Sequence, residues 1–166
     1  MTSYWRRLRE TVSERGPLCV GIDPHPSILS AWGLAADAAG VERFSRHLVE
    51  TLSSRVTAFK PQSAFFEAYG SAGVAVLERV LADIGQTEAL SILDVKRGDI
   101  GSTMAAYADA YLTDGAPLSA DAVTLSPYLG FGSLQPAIDL AHRYERGIYV
   151  LARTSNPEGG TVQLAL

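Results

Sequence analysis

The stretch Leu90-Ser91-Ile92-Leu93-Asp94-Val95-Lys96-Arg97-Gly98-Asp99 decides how the rest of the chain is read. Its first part, Leu90 to Val95, is apolar apart from Ser91 and Asp94 and has the length of a strand. That pattern suits a parallel strand covered on both faces. Its end turns abruptly charged. Asp94 and Lys96 stand two residues apart, so on a strand both side chains project from one face. The C-terminal ends of parallel strands are where α/β folds carry their active sites.

Working outward, four more runs have the same character: Leu18 to Ile22, Val56 to Phe59, Ala122 to Leu125 and Ile148 to Ala152. Between the runs lie stripes of helical period. Val41, Phe44, Leu48 and Leu52 share one helix face, as do Val74, Leu77, Leu81 and Ile84. Ile100, Met104, Ala108 and Tyr111 form a third stripe. An opening helix is expected before the first strand, with Thr11 and Glu14 spaced like a capping box. Strands alternating with helices imply parallel βα units. Eight units need about 250 residues, whereas this chain has 166 and supplies five strands. Thr161 to Leu166 read as the opening of a fifth helix. The pattern fits either an open five-stranded sheet or a (β/α)8 barrel of which about the first five βα units are present. No long linker or low-complexity segment divides residues 1–166, so a single domain is expected.

The other strand ends are polar as well. The first run leads into Asp23-Pro24-His25-Pro26, the second into Lys60-Pro61-Gln62, the fourth into Ser126-Pro127-Tyr128 and the fifth into Arg153-Thr154-Ser155-Asn156. Lys60 is expected to approach Asp94 and Lys96 from the neighbouring strand. At 4 Å and an effective dielectric near 20, one opposite-charge contact is worth about 4 kcal/mol, so such a cluster is stiff and preorganised. A buried ion-pair cluster that merely fills the barrel is the plainer reading. Burying charge is costly, and the presence of Lys60 and Asp23 on the same rim favours chemistry. Asp99 suits a helix N-cap, a role compatible with a catalytic one. His25 sits between prolines in a rigid loop and either packs or touches ligand. His47 and His142 fall on helical segments as surface or packing residues. Gly130-Phe131-Gly132 lacks a full dinucleotide fingerprint.

The formal net charge of −4 gives no electrostatic footprint for nucleic acid or an anionic membrane. One cysteine and three scattered histidines make no zinc pattern. Cys19, within an apolar run, is expected to be buried and inert. The sequence shows neither a signal peptide nor a membrane span, so a cytoplasmic protein is expected.

The run Asp94-Val95-Lys96-Arg97-Gly98-Asp99-Ile100-Gly101-Ser102-Thr103 resembles the signature of the orotidine 5′-phosphate decarboxylases. Gly21-Ile22-Asp23-Pro24-His25-Pro26, Phe59-Lys60-Pro61-Gln62 and Ser126-Pro127-Tyr128-Leu129-Gly130 resemble the longer bacterial, mycobacterial-like branch. The resemblance runs through the whole chain in order. It implies a barrel, a homodimer, and decarboxylation of orotidine 5′-monophosphate to UMP in de novo pyrimidine synthesis with no metal or organic cofactor. By the same resemblance, Asp23 and Lys60 contact the ribose hydroxyls, Asp94 lies beside the substrate carboxylate, and Lys96 donates the proton to C6. Asp99 reaches in from the partner subunit, Ile100 and Thr103 cross the interface, and Ser155 hydrogen-bonds the pyrimidine. The family's phosphate grip follows later strands, so the chain is expected to be a C-terminally truncated copy. Two rivals remain. One is a Mg2+-dependent sugar-phosphate lyase or synthase on the same scaffold, which the flanking strings disfavour. The other is a non-catalytic truncated subunit that pairs with a full-length copy.

Overall fold

The computed structural model describes residues 3–165. Five strands, β1 (Cys19–Ile22), β2 (Ala58–Pro61), β3 (Leu90–Arg97), β4 (Ala122–Leu125) and β5 (Gly147–Val150), lie side by side in chain order. Every neighbouring pair is parallel. An open doubly wound sheet reverses its strand order at a switch point. Here the order never reverses, so the five units form an arc of a β/α barrel.

The connecting helices are α1 (Tyr4–Arg15), α2 (Pro26–Ala31), α3 (Ala38–Leu52), α4 (Ala64–Glu67), α5 (Gly70–Gly85), α6 (Gly101–Leu112), α7 (Gln135–Arg143) and α8 (Gly160–Gln163). Helix α3 starts where the Asp37 carboxylate accepts the Gly40 N–H at 2.8 Å. That cap stabilises the helix by about 1 kcal/mol. Its buried stripe of Val41 and Phe44 meets Leu77, Leu81 and Ile84 of α5 and the outward side chains Phe59, Leu93, Val95, Val123 and Leu125. Met104, Ala108 and Tyr111 of α6 and Ala137 of α7 complete this outer core.

The inner face of the arc is divided in two. Toward the N-terminal ends of the strands it is apolar: Ala58, Leu90, Ile92 and Ala122 pack with Tyr4 and, more peripherally, with Leu8 and Tyr149. Helix α1 covers this end. Tyr4 is fully buried, its phenol lies 2.8 Å from that of Tyr149, and its backbone N–H donates to the Glu145 carbonyl at 2.9 Å. The ring passes so close to β5 that a Cβ on Gly147 would lie 2.3 Å from Tyr4 Cδ1. Arg7 adds an ion pair to Asp121 at 2.6 Å. Toward the C-terminal ends, the same face becomes polar and holds the site.

Three sequence expectations are corrected. Cys19 is exposed, because β1 is an edge of the sheet and leaves its inward face partly uncovered. Thr11 and Glu14 do not form a capping box: α1 begins at Tyr4 with Ser3 as its N-cap, and the Thr11 hydroxyl bonds back to the Arg7 carbonyl at 2.9 Å. Ile100 stands at the N-cap of α6 and is 62% exposed, so it lies outside the buried stripe that Met104, Ala108 and Tyr111 form. Residues 160–163 do turn helical as expected, while Leu166 lies outside the described residues.

Candidate active site

Asp94 is the centre of the site. It is inward-facing, 5% exposed, and three residues from the end of β3. Each carboxylate oxygen accepts two side-chain hydrogen bonds. Oδ1 takes the Lys96 ammonium at 2.6 Å and the Thr124 hydroxyl at 2.7 Å. Oδ2 takes the Lys60 ammonium at 3.1 Å and the Gln62 amide at 3.0 Å. Three neighbouring strand ends therefore converge on one anion. Burial pushes the Asp94 carboxyl up, but the hydrogen bonds from Lys96, Thr124 and Lys60 outweigh it and hold the group below the usual carboxylate range.

The burial is lopsided. The Asp94 side chain is 6% exposed, whereas those of Lys60 and Lys96 are 35% and 46% exposed. The anion sits at the floor and the two ammonium groups line the mouth. These three groups carry one net positive charge, presented toward the opening. That arrangement suits an anionic ligand, and the fixed cations need no reorganisation when charge develops beside them.

The backbone makes the geometry possible. From Leu93 to Arg97 the register along β3 runs four residues while β4 runs only two, from Val123 to Leu125. The excess is absorbed around Lys96, whose φ of 47° lies in the left-handed region. For a non-glycine residue this costs about 1–2 kcal/mol, and such strain persists where the surroundings over-determine it. Here the Lys96 N–H donates to the Thr124 hydroxyl at 3.0 Å, and its ammonium is held by Asp94.

Asp23 follows β1 directly. Its carboxylate folds over Gly21, with Oδ2 2.4 Å from where a Cβ would stand. Gly21 is in register with Lys60, so Asp23 shares the inward face that Lys60 occupies. The absence of a side chain at Gly21 makes that room. His25 is exposed in the loop after β1 and packs one side of its ring against Phe65, ring centroids 4.1 Å apart.

Asp99, Ile100, Thr103 and Ser155 stand apart from this cluster. Asp99 bonds within its own loop, accepting the Ile100 N–H at 2.8 Å, and Ile100 rather than Asp99 occupies the N-cap of α6. Thr103 lies exposed on the first turn of α6, and Ser155 is exposed in the loop after β5. Beside it, Thr154 is tied to Gln163 by two hydrogen bonds of 2.8 Å. Gly130 is the N-cap of a 3-10 turn, Phe131–Leu134, that contains Phe131 and Gly132.

A cavity of about 350 Å³ opens at the end of β3, lined by Gln62, Phe65, Glu67, Asp94, Lys96 and Arg97. That volume falls in the range of small-molecule sites. A larger groove, about 930 Å³, runs along the outer helices near Trp32, Arg46 and Asp83. Some of its charged side chains are already paired, Arg46 with Asp83 at 2.6 Å and Glu42 with Arg79 at 2.7 Å, and its lining residues come from helices and loops and not from the strand ends. Among the described residues, no cluster of three or more His, Cys, Asp or Glu is arranged to hold a metal ion. No helix among them is long and apolar enough to cross a membrane.

Sequence reasoning missed Gln62 and Thr124. Gln62 stands two residues beyond Lys60, hence on the same face, a signal that was available. Thr124 is the single polar residue in Ala122-Val123-Thr124-Leu125, where its β-branched shape reads as ordinary strand propensity.

Comparison with known proteins supports the same picture. An orotidine 5′-phosphate decarboxylase of Streptomyces coelicolor is 60% identical over 166 residues, covering 100% of this chain and 60% of that protein. One from Salinispora arenicola is 58% identical over 165 residues, covering 99% of this chain and 59% of that protein. A crystal structure from Streptomyces avermitilis, described as an orotidine 5′-phosphate decarboxylase, superposes with a TM-score of 0.98 at 58% identity, covering 100% of this chain and 58% of that one. The chain thus spans about 60% of the length of the curated relatives it matches. The model of the orotidine 5′-phosphate decarboxylase / HUMPS family matches residues 16–166, and the chain belongs to that family.

Proposed function

We propose that this chain supplies the catalytic half-site of an orotidine 5′-phosphate decarboxylase, converting orotidine 5′-monophosphate to UMP in pyrimidine synthesis without a cofactor. The observation that carries the reading is the buried Asp94 carboxylate gripped by Lys60 and Lys96 at a barrel rim. Loss of CO2 leaves electron density at C6 that the ring stabilises poorly. The Lys96 ammonium stabilises that developing charge more than it stabilises the substrate, and then delivers its proton to C6. Asp94 lies beside the departing carboxylate, and their repulsion is relieved as neutral CO2 forms. Asp23 and Lys60 hold the ribose hydroxyls, and Ser155 hydrogen-bonds the pyrimidine.

Asp99, Ile100 and Thr103 cross to a second copy in a homodimer. Ile100 and Thr103 are exposed, and the half-buried Asp99 makes its hydrogen bond within its own loop, which supports that assignment. Residues 1–166 act as one domain, since one outer core joins helices from α2 to α7. The protein works in the cytoplasm, where pyrimidine synthesis runs.

The test is the fall in ultraviolet absorbance when orotidine 5′-monophosphate is added. An intact full-length protein depletes the signal and the same protein carrying Lys96→Ala does not. Equal depletion in both removes Lys96 from the mechanism. The family name also covers HUMPS enzymes, but the curated relatives named above are decarboxylases. Activity that survives EDTA separates the proposed reaction from a Mg2+-dependent one on this scaffold.

A further inference from the structure

We propose that Thr124 is a positioning residue, whose hydroxyl locks both ends of Lys96 relative to Asp94. The hydroxyl has one proton and gives it to Asp94 Oδ1, at 2.7 Å. It must therefore act as acceptor toward the Lys96 N–H, at 3.0 Å. The Lys96 ammonium closes the ring by donating to the same Oδ1, at 2.6 Å. One residue is thus held at its backbone and at its side-chain tip through a single hydroxyl on the next strand.

This ring forms where β3 abandons its regular pairing with β4, between Leu93 and Arg97. In the interrupted register the Lys96 N–H finds the Thr124 hydroxyl instead of a ladder carbonyl. The bond holds Lys96 in its left-handed conformation, φ 47°, and that conformation aims the ammonium back at Asp94. Without the hydroxyl, only the ammonium–Asp94 bond at the side-chain tip opposes relaxation of Lys96 toward φ below zero, which the chain otherwise prefers.

The groups that face the Asp94 carboxylate are Lys60 and Gln62 from β2, Lys96 from β3 and Thr124 from β4. Asp23 shares that face from the end of β1. Thr124 is the uncharged member that touches both the acid and the lysine backbone. It supports the lower Asp94 pKa directly, by its own bond, and indirectly, by keeping Lys96 in place.

The activity arm of the test rests on the decarboxylase reading; the structural arm does not. In the structural arm, the Asp94 carboxyl is followed by 13C NMR against pH in wild type, Thr124→Val and Thr124→Ser. Valine keeps the shape and removes the hydroxyl; serine keeps the hydroxyl. The expected result is an Asp94 midpoint that moves to higher pH in Thr124→Val and returns in Thr124→Ser, with circular dichroism unchanged in both. An unmoved midpoint in folded Thr124→Val overturns the proposal, and so does failure of serine to restore it. Should valine prevent folding, the serine variant decides: a wild-type midpoint supports the proposal and a shifted one overturns it. In the activity arm, kcat falls about 10-fold in Thr124→Val with KM little changed, and serine restores it. An intact full-length wild-type protein that does not decarboxylate would sink the functional reading and leave the titration to judge Thr124.

Discussion

The Lys96 ammonium lies 2.6 Å from Oδ1 of Asp94, its neighbour two residues upstream on the same strand. An i, i+2 pair of this kind is ordinarily parallel and splayed outward from the sheet. Here the left-handed backbone at Lys96 folds the second side chain back toward the first.

The first prediction concerns acid. Folding lowers the Asp94 pKa from its unfolded value of about 3.9. The folded protein therefore binds fewer protons in this range, and the resulting stability is full above that value and is lost as pH falls through the lower folded pKa. Asp94→Asn removes it. At pH 7 the variant is expected to lose about 1–3 kcal/mol, below what a fully buried pair would cost, because both ammonium groups reach solvent. Urea denaturation at several pH values should show the gap between wild type and variant closing below about pH 4.

The second concerns alkali. Burial, followed by the hydrogen bond with Tyr149, pushes the Tyr4 phenol well above its ordinary range. The neutral phenol is favoured on folding, so its stabilising contribution is intact below about pH 10 and declines above it. Stability should then fall by about 1.4 kcal/mol per pH unit. Tyr4→Phe should lack this slope while costing about 1 kcal/mol at neutral pH through the lost hydrogen bond. Thermal melts between pH 8 and 11 compare the two.

The third uses a glycine pair. A methyl on Gly147 would collide with the buried Tyr4 ring, which is fixed on every side. Gly147→Ala should cost about 1–3 kcal/mol as an overpacked site. Gly132, whose Cβ position meets nothing within 4 Å, is the control. Gly132→Ala should change stability by less than about 0.5 kcal/mol, measured by the same denaturation curves.

The fourth separates binding from stability. A Cβ on Gly21 meets only the tip of the Asp23 side chain, which can swing away. Gly21→Ala should therefore leave the melting temperature nearly unchanged. If Asp23 holds the ribose, the displaced carboxylate should weaken affinity for a UMP ligand about 10-fold, the loss of one charge-assisted hydrogen bond. Isothermal titration calorimetry supplies the number, and unaltered affinity would remove Asp23 from the ribose site.

Much of this was legible in the residues. Apolar runs ending in charge located the rim, and the two-residue spacing of Asp94 and Lys96 put both on one face. Lys60 could be placed beside them because β2 precedes β3. Whether the sheet was open or curved required the strand order, which periodicity does not encode. The left-handed turn at Lys96 was not legible either, since no glycine or asparagine marks it; tertiary bonds from Thr124 and Asp94 impose it. Cys19 misled because an apolar run says nothing about whether its strand lies at an edge. Thr11 misled because the helix begins earlier, at a tyrosine whose burial depends on a strand far along the chain.

That last dependence also orders assembly. The residues that receive Tyr4 are Glu145, Gly147 and Tyr149, and the phenol pair spans 145 positions of sequence. Closing so long a loop has to wait until the intervening strands are in place. Helix α1 thus finds its berth only after β5 is in place, and until then the lower mouth of the arc stands unplugged.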